Sequence, residues 1–236
     1  MDRKKFIRNG ILGIASLATA SKLLESCSKS DNDNSGSDTS ADGSCSVSPS
    51  ETKGPFPIKT PSQLVLENIK SDRVGVALLI NLVIENKNNN CSPLAGVLVD
   101  VWHCDKDGNY SEYGGTSMQQ TDYTSVHFLR GRQTTDSKGE VSFISIFPGW
   151  YQGRAPHIHV EVLSTSGSSL LVTQIAFPET VSSTVYSSTN YSAHGQADTS
   201  NTKDNVFSDS LADELATLTG NLTDGYTLSK TIIVKG

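Results

Sequence analysis

The run Phe147-Pro148-Gly149-Trp150-Tyr151-Gln152-Gly153-Arg154-Ala155-Pro156-His157-Ile158-His159-Val160-Glu161-Val162-Leu163 sets the reading of the whole chain. Pro148-Gly149 is turn chemistry, and His157 to Leu163 has the apolar, β-branched character of a strand. Residues two apart in a strand share a face, so His157 and His159 project side by side while Ile158 and Val160 face the other way.

Similar segments recur on both sides of it. Val76 to Glu85 is a continuous apolar run expected to be buried on both faces, and Gly96 to Cys104 alternates with Val97, Val99 and Val101 on one side. Gly139 to Phe147 alternates through Val141, Phe143 and Ser145, and Leu170 to Phe177 and Tyr226 to Val234 complete the series. Turn residues separate them at Asn86 to Pro93, Asp107-Gly108 and Asp136 to Gly139. Serial short strands with such turns predict an all-β sandwich or barrel. One helix is expected at Ser208 to Leu218, where Leu211, Leu215 and Leu218 stand at helical spacing.

The first 27 residues do not belong to that domain. A basic start (Arg3, Lys4, Lys5, Arg8) leads into an apolar stretch, Ile11 to Ala20, too short for a permanent membrane span. Leu24-Glu25-Ser26-Cys27 resembles a lipobox, with Glu25 where a small or apolar residue is usual, so residues 1–27 read as an export signal ending at a lipidated Cys27. Residues 28–48, rich in Ser, Asp, Asn and Gly, read as a disordered polar tether, and residues 49–236 as the catalytic domain. The chain is then exported to the cell envelope and touches membrane only through its lipid. From Cys27 onward, 14 basic side chains stand against 23 acidic ones, a balance of −9 that offers no electrostatic footprint for nucleic acid.

Two imidazoles on one strand are half of a metal site. A His-x-His pair alone also occurs by chance and in copper or zinc sites. Tyr151 and Arg154 change the balance, because a turn delivers a phenol and a guanidinium into the same strand. A phenol titrates near 10 in water, and a trivalent cation stabilises phenolate enough to make it a ligand at neutral pH. Tyrosinate with histidine therefore points to Fe(III).

Pro148-Gly149-Trp150-Tyr151 followed by Gly153-Arg154-Ala155-Pro156-His157-Ile158-His159 resembles the iron-binding signature of the intradiol ring-cleavage dioxygenases, in the secreted single-chain branch. Trp102-His103-Cys104-Asp105-Lys106-Asp107-Gly108-Asn109-Tyr110 matches the turn that carries the family's other tyrosine ligand, Glu51-Thr52-Lys53-Gly54-Pro55-Phe56 its segment before the core, and Thr173-Gln174 its glutamine. The resemblance runs from about Cys45 to the C-terminus. It implies a β-sandwich with long loops, a ferric ion on Tyr110, Tyr151, His157 and His159, and a small catecholic substrate with O2. Tyr110 and His159 are then the permanent ligands and Tyr151 the one released to catechol. Arg154 would stabilise developing negative charge, Gln174 would position the substrate, and the ring would open between its hydroxylated carbons to a muconate-type diacid.

Phe56 stands where the family often has tyrosine and Lys53 where it often has an acid, both expected at the pocket entrance. The helical dimerisation segment of catechol 1,2-dioxygenases has no counterpart, and the number of subunits stays open. The rival reading is an exported β-sandwich lipoprotein that binds aromatic or carbohydrate ligands around a vestigial metal site. His103 and His127 read as surface or pocket-rim side chains, His194 as a loop residue, Trp102 and Trp150 as core, and Asp105 and Asp107 as turn residues. Cys104 lies at the site end of its strand and Cys45 shortly before the pocket segment. Cys91 falls roughly 25 Å from Cys104 at about 3.3 Å per residue. A Cys45–Cys104 disulfide is expected over Cys91–Cys104.

Overall fold

The computed structural model describes residues 45–236. The export signal, Cys27 and the tether up to residue 44 lie outside those residues. Among the described residues no helix is long and apolar enough to cross a membrane. In chain order the elements are β1 (Ala77–Asn86), β2 (Ser92–Pro93), β3 (Leu98–Trp102), β4 (Arg130–Thr134), β5 (Glu140–Ile146), β6 (His157–Leu163), β7 (Ser169–Ala176), α1 (Glu179–Tyr186), α2 (Leu211–Glu214), β8 (Thr217–Asn221) and β9 (Gly225–Val234). The fold is the expected all-β sandwich of two sheets. β1 is the spine of the first sheet, antiparallel to β5 and β2 and parallel to β9, with β8 outside β9. The second is antiparallel in the order β4-β3-β6-β7.

Alternation decides what each face does. Val99 and Val101 on β3 and Ile158, Val160 and Val162 on β6 turn inward to meet Ile80, Leu82 and Phe143 of the first sheet in one buried cluster. Fully burying such a side chain contributes about 1.5–3 kcal/mol. The opposite face of the second sheet carries Trp102 paired with His159 and Asp100 paired with Glu161. That outer face is covered too. Lys53 ion-pairs with Glu161 at 2.7 Å and the Glu51 amide donates to the Val172 carbonyl at 2.7 Å, so the segment before the core straps over β6 and β7.

Several expectations change. β1 is buried on both faces only in its first half; Asn81 and Val83 are half-buried and alternate with Leu82 and Ile84. The helix at 208–218 shrinks to Leu211–Glu214, because Leu215 turns extended to bridge Ala176 and Thr217 onward pairs with β9. β4 was not expected, since Arg130 and Arg132 interrupt any apolar alternation, and neither were β8 and α1. The disulfide joins Cys45 to Cys91, with Cα atoms 5.8 Å apart, and leaves Cys104 as a buried thiol. The cause lies at Ser48, which exchanges hydrogen bonds with Ile233 on β9 and so leads Cys45 away from the pocket segment, toward the end of β1. Residues 45–48, assigned to the tether, are thereby held against the domain. His103 is not at the surface. It extends the inward row of Val97, Val99 and Val101, is fully buried, and meets Ser145 Oγ of the opposite sheet at 2.7 Å.

Candidate active site

His157 opens β6 and Trp102 closes β3, so the outer face of the second sheet ends in His157, His159 and Trp102. The His159 imidazole lies flat on the Trp102 indole, centroids 4.9 Å apart and planes 3° from parallel. Gly54 of the strap covers the other side: at φ +65°, a Cβ there would stand 2.9 Å from His159 Cε1. Two turns then bring in the tyrosines. Asp105 Oδ1 accepts from the Asp107 and Asn109 amides at 3.0 and 2.9 Å, shaping the turn that presents Tyr110, as its reading as a turn residue anticipated. The Asp105 carbonyl accepts from Gly108 N within that turn and from Gly149 N of the turn that presents Tyr151, both at 3.0 Å. A Cβ on Gly108 would sit 2.3 Å from the Trp150 carbonyl oxygen, so the two turns pack backbone to backbone.

The four side chains converge. Tyr110 Oη lies 3.3 Å from His157 Nε2, and His157 Nε2 lies 3.1 Å from His159 Nε2. The Tyr151 ring stands 5.8 Å from that of Tyr110 and 5.5 Å from that of His157, centroid to centroid. His157 Nδ1 donates to the Ala155 carbonyl at 2.6 Å, which puts the ring's proton there and leaves Nε2 a bare lone pair facing its neighbours. Burial lowers the His157 pKa to about 3 and takes that of His159 well below its ordinary value, with Arg154 acting in the same direction on both. Both rings are neutral and able to donate lone pairs. Burial also raises the phenol of Tyr110 well above 10, and raises that of Tyr151 against the opposing pull of Arg154.

This donor set fits a hard, highly charged cation. Among the described residues no group of three or more His, Cys, Asp or Glu is placed to hold a metal ion, so neither a zinc-type cluster nor a two-histidine, one-carboxylate triad is present. The donors beside the two imidazoles are phenols that burial keeps protonated, and a trivalent ion is what makes such oxygens ligands.

Arg154 is buried against the same site. Its Nη2 donates to Gln174 Oε1 at 2.6 Å and its Nη1 to Tyr151 Oη at 3.4 Å, while Gln174 Nε2 donates to the Thr52 carbonyl of the strap at 2.9 Å. All six residues singled out from the sequence, Tyr110, Tyr151, Arg154, His157, His159 and Gln174, thus lie in one neighbourhood. Phe56 stacks on Tyr110 with centroids 4.7 Å apart and meets Tyr113 and Tyr151 edge-on, forming an aromatic wall. Lys53 points instead along the sheet to Glu161. His127 is held by Glu112 and His194 by the Trp150 carbonyl, each at 2.8 Å, so neither joins the site.

Other contributors escaped the sequence reading. Gln119 pairs its amide with the Tyr110 backbone, accepting from N at 2.6 Å and donating to O at 2.8 Å. Arg130, fully buried behind Tyr110, donates to the carbonyls of Phe56 and Ser111 at 2.9 and 2.7 Å. Asp204 accepts from Arg154 Nε at 2.9 Å. None has a local signal, since each acts on residues far away in sequence or on backbone atoms.

Comparison with known proteins agrees with this architecture. Residues 56–208 match the family model described as Dioxygenase. A curated relative, chlorocatechol 1,2-dioxygenase of Rhodococcus opacus, is 28% identical over 110 residues, which span 39% of this chain and 40% of that protein, less than half of its length. The intradiol ring-cleavage dioxygenase structure from Tetranychus urticae superposes with a TM-score of 0.72 at 29% identity, covering 80% of this chain and 95% of that one. The dioxygenase domain of a carbohydrate-binding fusion protein from Streptomyces sp. SirexAA-E shares the fold, with a TM-score of 0.56 at 24% identity over 80% of this chain and 97% of that chain. With most of its sandwich inside the family match and its tyrosine and histidine turns assembled as described, the chain belongs to the intradiol ring-cleavage dioxygenases.

Proposed function

We propose that this chain is a mononuclear non-haem Fe(III) dioxygenase that opens a small catechol between its two hydroxylated carbons, adding both atoms of O2 to give a muconate-type diacid. The observation that carries this reading is the convergence of a buried phenol, Tyr110, and a half-buried one, Tyr151, with two neutral imidazoles whose Nε2 atoms stand 3.1 Å apart. Held by Tyr110, Tyr151, His157 and His159, Fe(III) would supply Lewis acidity and a template for the two catechol oxygens.

The rest falls to the chain's own residues. Tyr151 is half-buried where Tyr110 is fully buried, so Tyr151 is the side chain free to swing aside and, as the phenolate that Fe(III) would hold, to accept a catechol proton on Oη. Phe56 and Tyr113 give the substrate ring an apolar wall and exclude water from it. Arg154, whose Nη1 faces Tyr151 Oη, stabilises the negative charge that develops on the substrate, and Gln174 holds Arg154 and the strap in register. Export with a lipid on Cys27 belongs to the same proposal, since an oxidising compartment is where the Cys45–Cys91 bridge persists.

The test is metal content, colour and product. Protein from iron-replete cells should hold about one iron per chain and show a broad visible band that shifts on adding catechol. The product should be a cis,cis-muconate or its lactone. Stoichiometric zinc or copper without a visible band, or a yellow semialdehyde product, refutes the proposal.

A further inference from the structure

We infer that Asp204 is the positioning residue of this site, aiming the one uncommitted edge of Arg154 at Tyr151 and steadying the turn that enters His157; the inference rests on the dioxygenase reading for the role of Arg154. The Asp204 carboxylate is fully buried and accepts four hydrogen bonds from three residues. Arg154 Nε reaches both oxygens at 3.0 and 2.9 Å, the Ala155 amide donates to Oδ2 at 2.7 Å and the Val206 amide to Oδ1 at 2.9 Å.

A guanidinium is a rigid plane, so fixing two of its nitrogens fixes the third. Asp204 holds Nε and Gln174 holds Nη2, which leaves Nη1 directed at Tyr151 Oη, 3.4 Å away. The Phe207 ring lies 5.7 Å from the guanidinium carbon and, with Val206, Ala155 and Ala176, encloses the pair in apolar surroundings. The same carboxylate acts on the metal-ligand side. It holds the Ala155 amide, and the Ala155 carbonyl fixes the His157 tautomer by accepting from Nδ1 at 2.6 Å. Partners of this outer kind orient the groups that touch substrate and metal. A buried ion pair can also be merely structural, so the test needs a readout that stability alone would not move.

Asp204→Asn keeps the shape and removes the charge. Its kcat for catechol should fall by roughly 10–100-fold with KM little changed. In the Arg154→Gln background the same Asp204→Asn change should cost no further kcat, because the group it aims is gone and the carboxamide oxygen of asparagine still accepts from the Ala155 amide. Wild-type kcat in Asp204→Asn, or a further loss in the double variant, overturns the inference. If Asp204→Asn does not fold, Arg154→Gln against the double variant decides alone, since no unpaired guanidinium charge is left buried there. In metal-free protein the Arg154 Nε–H should give a slowly exchanging 1H–15N signal that Asp204→Asn abolishes while the remaining spectrum persists. That measurement needs no turnover. A wild type that fails to cleave catechol refutes the proposed function, and the Nε–H signal still judges Asp204: protection unchanged in Asp204→Asn overturns its role.

Discussion

Replacing Cys45 and Cys91 by serine should destabilise the metal-free domain by about 4 kcal/mol without touching the site. The bridge closes a loop with a sequence separation of 46 residues. Loop-closure entropy for that length amounts to about 4 kcal/mol at room temperature, which for a domain of this size is a drop of roughly 8–16 °C in Tm. Both cysteines are half-buried, so serine leaves no sizeable cavity and the loss reports the cross-link rather than packing. The bridge also ties the Ser48–Ile233 pairing to the end of β1, so its removal loosens residues 45–48 ahead of the strap. Cys91 precedes β3 and Tyr110 follows it, which keeps the lesion away from the tyrosine turns. Urea unfolding of the wild type and the double variant at one pH, with cis,cis-muconate formation measured in parallel, gives both numbers. A midpoint unchanged by the double substitution, or by reductant on the wild type, refutes the loop-closure reasoning, and peptide mapping that finds Cys104 in a bridge refutes the pairing.

If His159 is a permanent ligand and Tyr151 the one that leaves, as proposed, His159→Ala should lose iron and colour together, while Tyr151→Phe keeps much of its iron by metal analysis and turns over poorly. Equal iron loss in both would break that division of roles. Gly54→Ala should strain the strap by about 1–2 kcal/mol at its left-handed backbone and press a methyl on His159; full iron loading and an unshifted Tm would contradict the close contact. Burial takes the His103 pKa from 6.5 to about 4, so its contribution to stability is complete above pH 6.5 and is lost as pH falls toward 4. Between pH 6.5 and 5 this amounts to on the order of 2 kcal/mol. Urea midpoints of metal-free protein should decline less steeply over that interval in His103→Gln, and an identical slope would show that His103 does not titrate on unfolding.

What was legible in the sequence is what alternation and turn chemistry write locally. β6 was read to the residue because its two faces differ chemically, histidines outward and branched aliphatics inward. The same alternation in Gly96 to Cys104, carried one step further, places His103 in the core; reading it by residue type alone sent it to the surface. β4 was hidden because its arginines serve partners elsewhere: Arg132 a carboxylate on β3, Arg130 the backbone behind Tyr110. The helical leucines near residue 215 lost to strand pairing with β9, which no local window contains. The cysteine expectation failed on direction: nearness in sequence to the pocket segment says nothing of which way the chain runs, and the Ile233 contact turned it toward β1. Asp204, 50 residues from its arginine, has no periodicity to betray it.

The shared carbonyl of Asp105 has a kinetic consequence. Gly108 and Gly149 both donate to that one oxygen, so the turns carrying Tyr110 and Tyr151 are riveted at a single point and cannot part without breaking the rivet. If Tyr151 is the group that yields to catechol, its backbone has to stay behind. The step is then a rotation about side-chain bonds, and ring rotations belong to a far faster class of motion than the microsecond-to-millisecond opening of an active-site lid. On that reading the yielding of Tyr151 requires no movement of its turn, and the resting geometry is restored as soon as the ring swings home.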